Sequence, residues 1–408
     1  MLLRISAFGL VLVVLAGCST LPRQQAVPFE KTNQAVVVGK ELESVRYIVD
    51  DPKDMERMTQ DVLQNWEHQR AYLASQGKSI NDLPPANFLA LSGGGDKGAY
   101  SAGMLNGWTA AGTRPSFTLV TGISTGALIA PYAFLGSSHD HELKEMYTNT
   151  SSEDLVEARG VLAALTEDAV LDTAPLRKLI AQQINRKFLD EVAAEYKKGR
   201  LLLVSTTNID ATRRVIWNMT KIAASQDPRA MELFHNIMLA SAAIPAAFPP
   251  VMIDVTVDGK PYQEMHVDGG TMAQVFVYPS AINLAQLSKD HGVQRQRKLY
   301  IIMNERIDPE WAETERRVFT IAGRAVATLI HTQGVGDLYR IFVTAHLDKV
   351  DFNLAYIPAD FNHPNAGVFN TDYMRALYNR GYEQALKGYE WQKVPPGLTE
   401  RQKAELKK

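Results

Sequence analysis

Short apolar runs alternate with helical patterns through the middle of the chain. Three of these runs are almost wholly apolar, which is typical of strands buried on both faces of a sheet, and they lie at residues 88–91, 117–120 and 201–205. Helical patterns follow the first two runs, at about 99–111 and 126–133, and helical segments fill about 139–197. Strands that alternate with helices predict an α/β fold whose sheet carries helices on both faces.

The pattern changes beyond residue 250. Two strand-like runs within 251–267 flank Asp258-Gly259, a dipeptide that favours a two-residue hairpin turn. Another buried strand is predicted at 299–303, and the C-terminal part is mostly helical in pattern, over 310–345 and 370–390.

Two segments with different patterns precede the first apolar run. Apolar spacing over 54–75 predicts an amphipathic helix. Residues 19–50 are polar and irregular, which indicates a tether.

The N-terminus has the pattern of an exported lipoprotein. Residues 5–16 form a short apolar run behind Arg4, too short to span a bilayer and typical of a signal-peptide core. Leu15-Ala16-Gly17-Cys18 resembles a bacterial lipobox, and Cys18 is the only cysteine, so it has no partner for an intramolecular disulfide. We therefore expect a signal peptide at 1–17, lipidation of Cys18 and attachment to the bacterial cell envelope. Ser19 favours the periplasmic side of the outer membrane; the alternative is an uncleaved apolar N-terminus with an incidental cysteine.

Length and charge narrow the classes of function. The 408 residues suffice for one large or two medium domains. A formal net charge of −2 gives no electrostatic basis for nucleic-acid binding. The sequence has no cysteine pair, repeated carboxylate loop or His-Glu-x-x-His motif that would hold a metal. We expect no metal, no cofactor and no nucleic acid, and the sequence identifies no protein partner.

A candidate nucleophile lies between a predicted strand and a predicted helix. Gly122-Ile123-Ser124-Thr125-Gly126 fits the pattern G-x-S-x-G, in which a tight turn projects a serine hydroxyl from the sheet edge. Gly122 and Gly126 leave room for the neighbouring segments. Outside this context the pattern is weak, and its alternative is an ordinary strand-to-helix turn.

The preceding strand-to-helix loop is rich in glycine. Gly93, Gly94 and Gly95 precede Asp96-Lys97-Gly98, and consecutive glycines can turn their N–H groups toward a developing oxyanion. A dinucleotide site is the rival interpretation, but it requires an acidic residue about 20 positions on, and 117–122 contains none. Lys97 could attract an anionic head group, although a solvent-facing role is the simpler expectation.

A serine hydroxyl needs a base to accept its proton. Asp268 ends a predicted strand, and Gly269-Gly270 allow the chain to turn its carboxylate into a cleft. An ordinary Asp-Gly turn is an equally simple explanation of these residues alone. Histidines that could instead complete a triad follow the serine at His235, His266, His291, His331, His346 and His363.

Together these motifs resemble the patatin-like phospholipase family over about residues 87–272. The family signature is a G-G-G-x-[KR]-G loop, a G-x-S-x-G elbow and a distant D-G-[AG], and here Gly270 replaces the commoner alanine. The resemblance implies a three-layer α/β/α fold with a mostly parallel central sheet and a Ser–Asp dyad. Ser124 would be the nucleophile, Asp268 the base with a raised pKa, and Gly94 and Gly95 the oxyanion donors.

We therefore expect a lipid acyl hydrolase of the phospholipase A or lysophospholipase type that acts on a membrane lipid or phospholipid. The expected organisation is a signal peptide (1–17), a tether with an N-terminal helix (18–84), a catalytic domain (85–310) and a helical extension packed on it (311–408). The alternatives are an esterase or thioesterase with a Ser-His-Asp triad, and a non-catalytic acyl-binding envelope lipoprotein.

Overall fold

The strands and helices are well defined along most of the chain. The computed structural model describes residues 21–81, 83–159, 167–365, 367–398 and 402. The strands are β1 (Val36–Val37), β2 (Arg46–Ile48), β3 (Ala86–Leu91), β4 (Leu119–Gly122), β5 (Glu157–Ala158), β6 (Leu171–Asp172), β7 (Leu201–Asn208), β8 (Arg213–Asn218), β9 (Val251–Val257), β10 (Lys260–Asp268), β11 (Arg297–Met303) and β12 (Asp351–Tyr356).

The helices follow in chain order between these strands. They are α1 (Pro52–Ser75), α2 (Ala99–Ala110), α3 (Thr125–Leu135), α4 (Asp140–Thr148), α5 (Ser152–Leu155), α6 (Ala174–Gln183), α7 (Arg186–Lys197), α8 (Met219–Ala224), α9 (Ala230–Ser241), α10 (Leu284–Asp290), α11 (Val318–Leu347) and α12 (Thr371–Leu386). Short 3-10 helices lie at Phe29–Gln34, Gly95–Gly98, Ser137–His139 and Gly269–Thr271.

A mixed, mostly parallel sheet forms the centre of the molecule. β7, β4, β3, β11 and β12 are parallel neighbours. β10, β9 and β1 continue the sheet in antiparallel fashion, and β8 pairs with both β7 and β2. The predicted hairpin is present, because β9 and β10 pair directly across Asp258-Gly259, both of which have positive φ.

Helices cover both faces of this sheet. Successive side chains of a strand point to opposite faces, so Leu89 and Leu91 enter one core while Phe88 and Ala90 enter the other. The first core is completed by α2, α3, α7, α9 and α12, and the second by α1, α10 and α11. The predicted three-layer α/β/α class is confirmed.

Three stretches differ from the sequence predictions. Residues 36–50 are not a tether, because β1 and β2 belong to the central sheet and Leu42 and Val45 are buried in the first core. The region beyond 311 is not only helical, since β12 adds a parallel strand next to β11. A two-stranded β5–β6 sheet also interrupts the stretch predicted as helical at 139–197.

The predicted signal peptide at 1–17 and the lipidation site at Cys18 lie outside the described residues. Among the residues that are described, no helix is both long enough and apolar enough to cross a membrane.

Candidate active site

Ser124 occupies a strained turn between β4 and α3. Its φ of 54° and ψ of −126° fall where non-glycine residues rarely lie, a strain typical of functional sites. The turn is closely packed on both sides. A Cβ on Gly122 would lie 2.3 Å from the carbonyl oxygen of Gly126, and one on Gly126 would lie 2.3 Å from the carbonyl oxygen of Leu91. Both flanking glycines are therefore required by close packing.

Sheet topology brings Asp268 to this turn. β4 pairs with residues 201–204 of β7, and β10 pairs with residues 206–208 of the same strand. Because β8 pairs with 203–208 and must take the opposite edge, β4 and β10 share one edge of β7. The two strands run toward each other, and they end at Gly122 opposite Val204 and at Asp268 opposite Thr206. The residues that follow β4 therefore meet the end of β10.

The carboxyl of Asp268 is buried and hydrogen-bonded. It accepts the Ser124 hydroxyl and the Gly270 N–H, the latter at 2.7 Å. Burial raises the pKa of Asp268 to about 7, and the hydrogen bonds from Ser124 and Gly270 oppose this rise without cancelling it. A carboxyl with this pKa can hold or release a proton near neutral pH, as a general base requires.

The histidines predicted as alternative bases lie elsewhere. His266 is buried on β10, but its Nδ1 is 2.8 Å from the Thr206 hydroxyl and its Nε2 is 3.1 Å from Glu264. Among the described residues, which include every histidine of the chain, none has a hydrogen bond to Ser124 or Asp268.

The triple-glycine loop offers two of its three predicted donors. The N–H of Gly93 donates to the carbonyl oxygen of Gln274 at 3.0 Å, so the prediction that Gly93 is an oxyanion donor is wrong. Gly94 and Gly95 adopt positive φ angles of 147° and 59°, and their N–H groups have no hydrogen-bond partner within the described ranges. The N-terminus of α3, which follows Ser124 directly, adds a positive electrostatic potential at the same place.

Ser92 and Asn304 hold this loop, and neither was predicted from the sequence. The Ser92 hydroxyl donates to the carbonyl oxygen of Gly93 at 2.7 Å and accepts the N–H of Asn304 at 2.8 Å. A Cβ on Gly94 would lie 2.4 Å from the carbonyl oxygen of Asn304. The available signal was that Asn304 follows the buried strand β11 directly, at the edge where parallel sheets place their ligands.

Ser241 is a third residue whose role sequence reasoning missed. Its hydroxyl accepts the N–H of Ser124 at 3.0 Å and donates to the carbonyl oxygen of Ser205 at 2.8 Å. It thereby links the strained turn to β7. The available signal was that residues 241–250 resemble the segment that precedes the aspartate in the patatin-like family, but this likeness gave Ser241 no role.

The remaining motif residues have packing roles. A Cβ on Gly98 would lie 2.2 Å from the Thr125 hydroxyl, and one on Gly269 would lie 2.4 Å from the carbonyl oxygen of Ser205. Lys97 does not simply face solvent, because it forms a half-buried ion pair with Glu305 at 2.6 Å. Groups of histidine, cysteine or carboxylate side chains that could hold a metal ion are absent from the described part of the chain.

An apolar cavity opens onto Ser124. Its volume is about 730 Å³ with the open mouth included. Its walls are almost entirely aliphatic, methionine or aromatic side chains, among them Leu128, Ile180, Ile184, Met238, Phe369 and Met374. The N–H of Phe369 also donates to the carboxylate of Asp96, which ties this wall to the glycine loop. The cavity can hold an extended hydrocarbon chain next to the serine.

A comparison with family models gives a match over residues 89–279, to the family described as patatin-like phospholipase. This segment is a patatin-like phospholipase domain. The match supports a lipid hydrolase. The patatin-like domain contains Ser124 and Asp268, whereas Asn304, Phe369 and Met374 come from residues beyond it.

Solved structures with limited similarity include VipD from Legionella pneumophila, with a TM-score of 0.34 and 13% identity over 74% of this chain and 66% of that one. Human GIVD cytosolic phospholipase A2 has a TM-score of 0.30 and 10% identity, over 70% of this chain and 51% of that one. The type III effector protein ExoU has a TM-score of 0.21 and 14% identity, over 75% of this chain and 53% of that one. The matched part thus spans about two thirds or less of each of these chains. No curated protein matches the sequence.

Proposed function

We propose that this protein hydrolyses the carboxylic esters of phospholipids or lysophospholipids, with Ser124 as the nucleophile and Asp268 as the base. One observation carries the proposal. An apolar cavity opens onto a strained serine whose hydroxyl donates to a buried carboxyl. The patatin-like domain supports a lipid substrate, and the cavity suits the acyl chain of such a lipid.

The first half-reaction forms an acyl-enzyme. The ionised carboxylate of Asp268 takes the hydroxyl proton as the Ser124 oxygen attacks the acyl carbonyl carbon. The carbonyl oxygen becomes negatively charged and accepts hydrogen bonds from the N–H groups of Gly94 and Gly95. Each such donor lowers the barrier by about 3 kcal/mol. When the carbon–oxygen bond of the ester breaks, the lipid alcohol leaves with the proton from Asp268.

The second half-reaction releases the fatty acid. Asp268 takes a proton from a water molecule, which attacks the acyl carbon of the Ser124 ester. The proton then returns to the Ser124 oxygen as the fatty acid leaves. An enzyme of this kind needs no imidazole, in keeping with the engagement of both His266 nitrogens by Thr206 and Glu264.

The test compares Ser124→Ala with Ser137→Ala, a matched change at an exposed serine of the same protein. Ser124→Ala should lower fatty-acid release from mixed phospholipid micelles about a thousandfold or more, whereas Ser137→Ala should leave it unchanged. A fluorophosphonate probe should label the wild type and not Ser124→Ala. Release that survives the loss of Ser124 would reject the mechanism, and a wild type that neither labels nor hydrolyses would indicate an acyl-binding protein instead.

The alternative Ser-His-Asp esterase or thioesterase is separated by single substitutions. Replacement of each of the six downstream histidines by glutamine leaves a Ser–Asp enzyme active in every case. Loss of acyl-enzyme formation in any one folded histidine variant would favour the triad.

We also propose that Cys18 carries a lipid anchor that holds the protein at the bacterial cell envelope, on the periplasmic side of the outer membrane. The lipobox-like sequence before Cys18 supports this assignment. Cys18→Ala should abolish metabolic incorporation of fatty acid into the protein, and incorporation that persists in this variant would refute the anchor.

A further inference from the structure

The two halves of α11 have different surroundings. The C-terminal half packs on the sheet, where Leu338 and Phe342 are buried in the second core and Asp337 accepts the N–H of Gln274 at 2.6 Å. In the N-terminal half, up to His331, Val318, Ile321, Val326 and Leu329 are each more than half exposed. Monomeric soluble proteins rarely expose so many large apolar side chains side by side.

The polar side chains of this exposed half lie toward one side of the helix. Thr320, Arg324, Thr328 and His331 are spaced by four, four and three residues and share one side of the helix. On that side Arg324 and His331 turn toward the protein, because Arg324 donates to the carbonyl oxygen of Glu310 and His331 lies within electrostatic range of Glu305, whereas Thr320 and Thr328 are exposed. Val318, Ile321, Ala322, Ala325 and Leu329 form an apolar stripe that faces solvent.

The apolar stripe is small for a protein partner. Residues 318–331 form a helix roughly 21 Å long and about 10 Å wide, which presents roughly 200 Å². A stable protein interface buries about 800 Å² on each partner. A second copy of the chain would therefore need contacts well beyond this stripe, whereas a bilayer surface accepts a single short helix.

The flanking residues are typical of a lipid interface. Trp311 is 87% exposed, and an amphipathic indole favours the boundary between head groups and acyl chains. Arg316, Arg317 and Arg324 outnumber Glu313 and Glu315 between residues 311 and 331, so the segment is slightly cationic. The head groups of anionic lipids complement this charge.

The position of the stripe relative to the active site also points to lipid. His331 ends the exposed half within electrostatic range of Glu305, which pairs with Lys97 of the glycine loop. A few residues later, a Cβ on Gly334 would be 3.4 Å from Gln274, whose carbonyl oxygen anchors Gly93. The exposed half of α11 therefore projects from the protein next to the glycine loop.

From these observations we infer that residues 311–331 dock on a bilayer surface, with the apolar side of α11 inserted among the acyl chains and Trp311 at the head-group level. The docked helix is too short to span about 30 Å of hydrocarbon, so it lies in the interface. This contact orients the patatin-like domain on the membrane independently of any N-terminal anchor. The inference goes beyond the proposed hydrolysis, since docking on a bilayer requires no catalysis.

The test uses the full chain in a Ser124→Ala background, so that vesicles stay intact and the result does not depend on the proposed reaction. Vesicles of phosphatidylcholine and phosphatidylglycerol carry brominated acyl chains, which quench tryptophan only on close approach. The emission of Trp311, isolated by comparison with Trp311→Phe, should be quenched as vesicles are added. This readout is local, so an N-terminal anchor does not produce it.

Leu329 and Leu347 provide a matched pair on one helix, because both are 70% exposed but only Leu329 lies in the proposed docking half. Leu329→Asp should raise the vesicle concentration needed for half-quenching about tenfold or more, and Leu347→Asp should leave it unchanged. Circular dichroism checks that both variants fold. Equal quenching in all three proteins, or no quenching of the parent, would overturn the inference. So would a parent dimer, seen by sedimentation velocity, that Leu329→Asp dissociates.

Discussion

At the scale of single residues, the proposed hydrolysis depends on how one carboxyl group is solvated. No cation in the described part of the chain acts on Asp268, so burial dominates and its pKa rises to about 7 despite hydrogen bonds from Ser124 and Gly270. The reference pKa of an aspartate is about 3.9, at which a carboxylate is too weak a base for a serine hydroxyl. In the proposed mechanism, desolvation thus allows the Asp268 carboxylate to accept the serine proton without a histidine.

The hydrolysis rate should consequently follow the ionisation of Asp268. The carboxylate form is the base, so kcat/KM for a soluble ester should fall about tenfold per pH unit below pH 7 and level off above it. The measurement is kcat/KM from pH 5 to pH 9 at constant ionic strength, with thermal unfolding at each pH to show that the protein stays folded. A rate that is constant down to pH 5 would mean that the base has an ordinary carboxylate pKa, contrary to the desolvation described here.

Sequence alone reached the candidate catalytic residues but not the residues that position them. Ser124, Asp268 and the glycines are recognisable because each needs a special backbone or close packing that only a few residue types allow. Ser241 and Asn304 are ordinary polar residues far away in sequence, and only the fold brings them to the turn and the loop. The engagement of the Gly93 N–H by Gln274 was equally invisible, because it depends on the path of the chain after Asp268.

At the scale of elements, α2 and α12 approach each other unusually closely. A Cβ on Gly103 of α2 would lie 2.0 Å from the carbonyl oxygen of Tyr378 in α12, and one on Gly107 would lie 2.2 Å from that of Tyr382. This contact links the helix after the glycine loop to the helix that contributes Met374 to the cavity. The glycines therefore set the distance between two parts of the candidate site.

Gly103→Ala should force these two helices apart. We expect the free energy of unfolding to fall by about 1–3 kcal/mol, as for other overpacked sites, and hydrolysis of long-chain esters to weaken as Met374 moves. Gly336→Ala in α11 is the matched control, because a Cβ there meets nothing within 4 Å. That change should leave the protein equally stable or stabilise it by up to about 1 kcal/mol through helix propensity. Urea unfolding measures both variants, and equal stability of the two would contradict the close packing.

Elements differed in how well the sequence predicted them. Long apolar strands such as β3 and β7 and periodic helices such as α1 were predicted within a few residues. β12 was missed because it carries polar residues at both Asp351 and Asn353, and β1 and β2 are too short for any periodicity to show. Short or polar strands owe their conformation to pairing with neighbours, which only the assembled sheet provides.

At the scale of the whole molecule, a buried ion pair joins the N-terminal region to the strand that ends in Asp268. Arg46 of β2 donates through both terminal nitrogens to Glu264 of β10, and both side chains are only 3% exposed. Burial raises the pKa of Glu264, but Arg46 and His266 outweigh this and bring it down to about 2. Glu264, His266 and Asp268 alternate along β10 and so share one face of the strand. The ion pair thus helps fix the strand that ends in the candidate base.

Removing the cation of this pair should destabilise the protein far more than removing a surface cation. Arg46→Met leaves the Glu264 carboxylate buried without a partner, and we expect a loss of about 3–5 kcal/mol at pH 7. Arg186→Met is the control, because its ion pair with Asp190 is more than half exposed and is worth about 1 kcal/mol or less. The double variant Arg46→Met/Glu264→Gln removes both charges and should recover much of the loss.

The difference in stability between wild type and Arg46→Met should decrease as the pH falls. The folded pKa of Glu264 lies below its usual value of about 4.5, so the stabilisation by Arg46 is fully present above that pH and is lost as the pH falls toward 2. The gap between wild type and Arg46→Met in urea unfolding should therefore be widest at neutral pH and should narrow in acid. If Arg46→Met were as mild as Arg186→Met at pH 7, the N-terminal region would be dispensable for the sheet. Asp268 would then be held by β7 and β9 alone, and Arg46→Met would retain full hydrolytic activity.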